Sequence, residues 1–292
     1  MSVSNWFNSF CSNIRICDAD VETIISRYHR ITKRINTDYY SSSSETAHSL
    51  YIGSYGRGTE TFTSDIDVLV ELPYSTYEKF NSYLSNGQSA LLQEVKNVLG
   101  KSFSTTNLKG DGQIVSLVFA DGINFEVLPS FRNNDGSFTF PNANGGGSWK
   151  ITDPKSEISA VQEMNDKCNG NLKRLCRMAR AWRDVHNVSI SGILIDVFAY
   201  RFISTWENRD KSYSYYGLMS RDFFKYLSER DAKQNSWKVM GSNRYVPRTG
   251  CFETKANTAY SLACEAIKKE EQGYHYTAIS KWREIYGSKF PS

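Results

Sequence analysis

The sequence predicts an α+β chain: a strand-bearing first half packed with helices, followed by a helical second half. Three observations carry this. SDIDVLVEL, residues 64–72, alternates along a strand, with Ile66, Val68 and Val70 on one side and Asp65, Asp67 and Leu69 on the other. IVSLVFADGINFEVLPSF, residues 114–131, places two β-branched and aromatic runs around Ala120-Asp121-Gly122, as a hairpin does. Beyond residue 148, apolar residues recur at helical spacing.

Taken in order, Val21, Ile24, Ile25, Tyr28, Ile31 and Ile35 give an amphipathic helix, with Asp18 and Asp20 placed to cap it. Thr37–His48, with four serines in a row from Ser41 to Ser44, reads as a loop, and a short strand then leads into Gly53-Ser54. Ala90–Leu99 is a short helix, and the hairpin that carries Glu126 follows it. The glycine-rich stretch Asn142–Ser148 suggests a boundary, dividing the chain into 1–148 and 149–292. Asp153-Pro154 is an N-cap and first-turn pair for a helix bearing Ile158, Val161 and Met164. After Gly170, Leu172, Leu175, Ala179, Trp182 and Val185 form an apolar stripe, with Lys173, Arg177 and Arg180 on the opposite arc. Ser189-Ile190-Ser191-Gly192 caps ILIDVFAYRFI, whose all-round apolarity makes it central to the second half, and whose Asp196 is expected to bind backbone N–H groups or an arginine. Gly273 separates the last two helices, and Gly287 ends the chain's final one.

With 292 residues and 40% apolar content, the chain has enough material for one large or two smaller packed lobes. The N-terminus has neither a basic start nor a long apolar core, and no run approaches the roughly 18 apolar residues of a membrane span, so a cytoplasmic, membrane-free protein is expected. Six cysteines show no C-x-x-C pairing, which disfavours a zinc site or a disulfide framework. A net charge of +4, from 35 basic against 31 acidic residues, suits triphosphate ligands but falls short of a double-stranded DNA-binding footprint.

The chemistry concentrates in YIGSYGRGTETFTSDIDVLVEL, residues 51–72. A bare Asp-x-Asp on a strand is usually a solvated edge, and glycines alone are usually a flexible loop. Here a Gly-Ser turn, able to hold a phosphate through backbone N–H groups and a hydroxyl, precedes the carboxylate pair by about ten residues. Glu126, mid-strand on the polar side of the hairpin, is an available third carboxylate. Two divalent cations about 3.5–4 Å apart need such oxygen ligands.

Gly53-Ser54, Asp65, Asp67 and then Glu126 followed by Pro129 resemble the signature of the DNA polymerase β-like nucleotidyltransferase superfamily. Trp149 and Asp153-Pro154 leading into NGNLKRLCRMARAWRD, with the ending AISKWREIYGSKFP, resemble the bacterial cGAS/DncV-like nucleotidyltransferases, synthases of cyclic oligonucleotides in anti-phage defence. Nearly the whole chain is covered. The resemblance implies a bilobed fold, with a mixed-sheet catalytic lobe, an all-helical second lobe, an N-terminal helix bridging them and the active site in the cleft. It implies Asp65, Asp67 and Glu126 as catalytic residues and ligands of two Mg²⁺ ions, with Mn²⁺ as a substitute, although the third carboxylate is most often Asp in the superfamily. Gly53, Ser54, Lys173 and Arg180 are the implied nucleotide-binding residues. The implied substrates are ATP or other NTPs, joined with release of pyrophosphate. A separate effector would read the cyclic product, and proteins of the same operon would regulate its synthesis.

The same carboxylates would equally serve a linear 2′-5′ oligoadenylate synthase, an RNA-tailing enzyme, or a transferase of NMP to a protein or small molecule. A non-catalytic nucleotide-binding module is the further alternative. The aromatic and basic stretch 207–250, with Tyr213, Tyr215, Tyr216, Trp237, Arg244 and Tyr245, offers base-stacking candidates but reads mainly as packing.

Overall fold

The structure, a computed structural model, describes residues 2–61 and 65–292. Its helices and strands separate into two compact units: Cys17–Arg57 with Thr63–Ile158, here the sheet unit, and Met1–Ile16 with Gly58–Phe62 and Ser159–Ser292, here the helical unit. The first 16 residues, a five-residue piece of the motif loop, and the second half therefore belong to one body.

The chain opens with α1 (Val3–Asn13), whose Trp6, Phe7 and Phe10 are buried. This helix was not legible as an element in the sequence. α2 (Asp18–Tyr40) covers the predicted first helix and extends through Tyr40, so the expected loop starts at Ser41, which takes the left-handed conformation that stops the helix. Asp18 and Asp20 lie in its first turn and Cys17 occupies the cap position, so neither aspartate is the cap. β1 (Ser49–Tyr51), α3 (Gly53–Arg57) and β2 (Ile66–Glu71) follow. Ser64, read as the start of the strand, lies outside the described residues. Then come α4 (Tyr74–Asn81), α5 (Gly87–Gly100), β3 (Asn107–Asp111), β4 (Ile114–Val118), β5 (Phe125–Arg132), β6 (Phe138–Asn142) and β7 (Ser148–Thr152).

The sheet runs β1-β2-β5-β4-β3, with β6 added to β5 and β7 to β6. Among the described residues only β2 and β5 pair in parallel, which makes the sheet mixed as expected. Ile66, Val68 and Val70 are buried on one face, and from the middle of β2 the other face is closed too: Leu69 packs with Leu128 and Phe138. The glycine-rich stretch Asn142–Ser148 corrects the boundary reading, because Asn142 pairs with Ser148 and the glycines close the β6–β7 hairpin inside the sheet.

α6 (Pro154–Lys167) has Asp153 at its start, whose Oδ1 accepts from the Ser156 N–H at 3.1 Å. α7 (Asn171–His186) begins after Gly170, α8 (Gly192–Thr205) is capped by Ser191, and α9 (Tyr216–Ser228) follows. A small antiparallel pair, β8 (Ser236–Lys238) and β9 (Tyr245–Pro247), interrupts the expected all-helical second half before α10 (Glu253–Glu271) and α11 (His275–Tyr286). One continuous core runs through α1 and α7–α11 of the helical unit. Among the described residues no helix is long and apolar enough to cross a membrane.

Candidate active site

β2 and β5 lie side by side in parallel, and their register sets Asp67 opposite Glu126. Side chains at paired positions of adjacent strands project to the same face, so the two carboxyl groups meet and hydrogen-bond to each other. Asp65, exposed just before β2, shares their electrostatic field, and its Oδ1 accepts from Asn124 Nδ2 at 3.4 Å. Across β4 the position opposite Glu126 is Ser116, so no cation flanks it on that strand.

This crowding of negative charge shows in the protonation equilibria. Burial, then the Asp67 and Asp65 charges and the hydrogen bond to Asp67, push Glu126 up to about 7. Burial also pushes Asp67 up to about 6, with Asp65 raising it further while the Arg57 guanidinium partly offsets the rise. Both shifts are what burial and mutual repulsion do to neighbouring carboxylates, and Arg57 offsets only part of them.

β1 delivers the Gly-Ser turn to this point. Ile52 N–H donates to Asp67 O at 2.9 Å, and the chain then turns into α3 at Gly53, whose φ is +61°. A side chain at Gly53 would run into the Asp67 carboxyl group, with a Cβ only 2.6 Å from Cγ. Glycine is thus demanded twice, by the left-handed backbone and by the carboxylate that lies over it. Ser54 follows, half-buried in α3. Arg57, at the end of α3, is buried and pairs with Glu157 at 3.4 Å. Sequence reasoning missed Arg57, although it is the cation nearest in sequence to the Gly-Ser turn.

The other expected residues lie in the helical unit. Lys173, on α7, is half-buried with its ammonium end over Gly58 and donating to Gln162 Oε1 at 2.5 Å. Burial, then the neighbouring Arg177, holds its pKa below the usual lysine value. Arg177 is paired with Glu60 at 3.0 Å. Arg180 is a correction to the nucleotide-binding set: it is 1% exposed, and its guanidinium grips Asp196 at 2.5 and 2.9 Å and Gly192 O at 3.0 Å. Both Nη groups are committed within the protein, and Asp196 has the arginine partner expected of it. In the aromatic stretch, Tyr216 and Trp237 are core residues, whereas Tyr245 is exposed.

Carboxylate oxygens are the hard donors that Mg²⁺ prefers, and the proton shared by Asp67 and Glu126 marks a place where a cation would relieve repulsion. The donor chemistry therefore fits the implied ions. No three or more His, Cys, Asp or Glu side chains among the described residues are already gathered as an ion cage, Asp65 being engaged by Asn124 instead.

Residues 1–165 match the sequence pattern of the Second Messenger Oligonucleotide or Dinucleotide Synthetase domain. A probable cyclic nucleotide synthase of Bacillus cereus is 29% identical over 188 residues, 58% of this chain and 52% of that one, so the match spans about half the relative's length. Two solved structures share the fold. Escherichia coli CdnC with ATP superposes with a TM-score of 0.69 at 14% identity, covering 99% of this chain and 98% of that one. Vibrio cholerae DncV cyclic AMP-GMP synthase with nonhydrolyzable GTP gives 0.70 at 13% identity, covering 96% and 93%.

Proposed function

Because the chain belongs to the Second Messenger Oligonucleotide or Dinucleotide Synthetase domain family, we propose that it joins nucleoside triphosphates with release of pyrophosphate and closes the product into a cyclic oligonucleotide. The observation that carries this is the facing of Asp67 and Glu126 across parallel strands, with Asp65 beside them and Gly53 beneath.

In the proposed step a ribose hydroxyl attacks the α-phosphorus of a bound triphosphate. The new P–O bond forms as the bond to the β-phosphate oxygen breaks, the hydroxyl proton is lost and pyrophosphate leaves. Two Mg²⁺ held by Asp65, Asp67 and Glu126 would supply Lewis-acid activation of the hydroxyl and neutralise the leaving group. The Gly53-Ser54 turn is assigned to the leaving phosphates through its backbone N–H groups and hydroxyl. Lys173 is assigned a further phosphate contact, on the strength of the resemblance alone. A second displacement with the ends of the linear product exchanged would close the ring. The named activity of the DncV relative as a cyclic AMP-GMP synthase supports a cyclic product. A separate effector would read that product in anti-phage defence.

The test is incubation of the full chain with all four NTPs and Mg²⁺, phosphatase treatment and mass spectrometry. A phosphatase-resistant cyclic species is expected. Recovery of nucleosides alone, or of a linear product, would overturn cyclisation.

A further inference from the structure

Within the helical unit, a cavity of about 100 Å³ opens where the chain leaves α1, lined by Cys11, Ser12, Ile14, Arg15, Arg174, Arg177 and Tyr213. At roughly 30 Å³ per water in the liquid, it has room for a few waters or one tetrahedral oxyanion, and none for a nucleoside. Its lining contains three guanidinium groups and no carboxylate.

The charge balance around it is uneven. Arg177 is paired with Glu60. Arg174 makes its hydrogen bonds only to neutral groups among the described residues: Asn169 O at 2.9 Å, Asn171 Oδ1 at 3.2 Å and the Tyr216 hydroxyl at 3.4 Å, all from Nη1, with the guanidinium 5.2 Å above the Tyr213 ring. Arg15 is exposed and forms no ion pair among the described residues. Three cations thus converge with one countercharge between them, and that carboxylate is outside the cavity. Like charges held together this way repel unless an anion is supplied.

We propose that this cavity binds a single phosphoryl-type oxyanion, held by Arg15, Arg174 and Arg177, with the Tyr213 hydroxyl as a further donor. Guanidinium forks match such oxygens with short, charge-assisted bonds. The occupant would tie the C-terminal end of α1 to α7, stabilising the point where the chain leaves the helical unit. The site is distinct from Lys173, whose ammonium end lies over Gly58, and it does not depend on the catalytic reading.

The test follows the melting temperature and ³¹P line width of the full chain during titration with inorganic phosphate, at ionic strength held constant with chloride. A saturable rise in melting temperature is expected. Arg15→Gln, at an exposed position that should fold normally, should weaken phosphate binding about tenfold, the loss of one charge-assisted contact. Lys173→Gln should leave the component that Arg15→Gln removes unchanged. Methyl phosphate binding as tightly as inorganic phosphate would identify the ligand as a terminal phosphoryl group of a larger molecule; exclusion of methyl phosphate would identify the free ion. No saturable effect, or an effect kept in Arg15→Gln and lost in Lys173→Gln, overturns the proposal.

Discussion

The Asp67 carboxyl group lies over the Cα of Gly53, so close that a methyl group there would be 2.6 Å from Cγ and 2.9 Å from Cβ of the aspartate. The turn that is assigned to the phosphates and the residue that is assigned to the cations are therefore one mechanical unit. Gly53→Ala must either displace the carboxylate or open the turn, and it also places a side chain at φ +61°. A stability loss of about 1–2 kcal/mol is expected from the left-handed backbone. Turnover should fall roughly hundredfold or more, as a displacement near 1 Å at a reacting centre can cause. Pyrophosphate release, measured beside the far-UV circular dichroism of the same sample, checks both.

Replacing Asp65 and Asp67 together by Asn should abolish pyrophosphate release and leave the fold intact. Asp65 lies just before β2 and Asp67 is half-buried at its second position, while the strand's packing comes from Ile66, Val68, Leu69 and Val70. Retained turnover in the double variant would remove these residues from the chemistry.

The raised pKa of Glu126 gives a stability prediction with a definite sign. The folded carboxyl holds its proton to about 7, against an ordinary value of 4.5. Between those values the unfolded chain has released the proton and the folded chain has not, so this group's contribution to stability falls as pH rises through the window and stays low above it. Glu126→Gln removes the ionisation. Its melting temperature should exceed that of the parent at pH 8 by the equivalent of about 1–2 kcal/mol, a value discounted for partial solvent screening, and the difference should vanish near pH 4. Mg²⁺ added at pH 8 should stabilise the parent and do little for the variant. Equal responses of both proteins to Mg²⁺ would remove Glu126 from the ligand set.

The start of β2 was readable from alternation alone, because a half-buried strand writes its two faces into the sequence with period two. The hairpin at Ala120-Asp121-Gly122 was readable for the same reason, together with its turn. α1 was not: its Trp6, Phe7 and Phe10 find their partners far along the chain, Phe7 on Trp282 and Phe290 and Phe10 on Tyr286, and a short helix stabilised by distant contacts leaves little local signal. The β6–β7 hairpin was hidden by its own glycines, since a turn and a linker use the same residues. Arg180 came into the nucleotide-binding set by resemblance, since helical periodicity gives the direction of a side chain and not what waits there. On the arc opposite the apolar stripe it meets the buried Asp196 of α8 instead of solvent or ligand.

That Arg180–Asp196 contact is a buried ion pair with Thr59 as a third member, its Oγ1 donating to Asp196 Oδ2 at 2.9 Å. Thr59 belongs to the short segment of the motif loop that lies in the helical unit, so the pair fixes α7, α8 and that loop together. Removing one charge leaves the other buried without its partner, and Asp196→Ala should cost about 3–5 kcal/mol. Replacing both, as in Arg180→Met with Asp196→Leu, takes away both desolvation penalties and should recover much of that loss. Urea midpoints of the single and double variants, combined in a double-mutant cycle, measure the coupling. Because both Nη groups of Arg180 are spent within the protein, the KM for NTP of the folded double variant should stay near that of the parent. A large rise in KM with stability restored would return Arg180 to the nucleotide site.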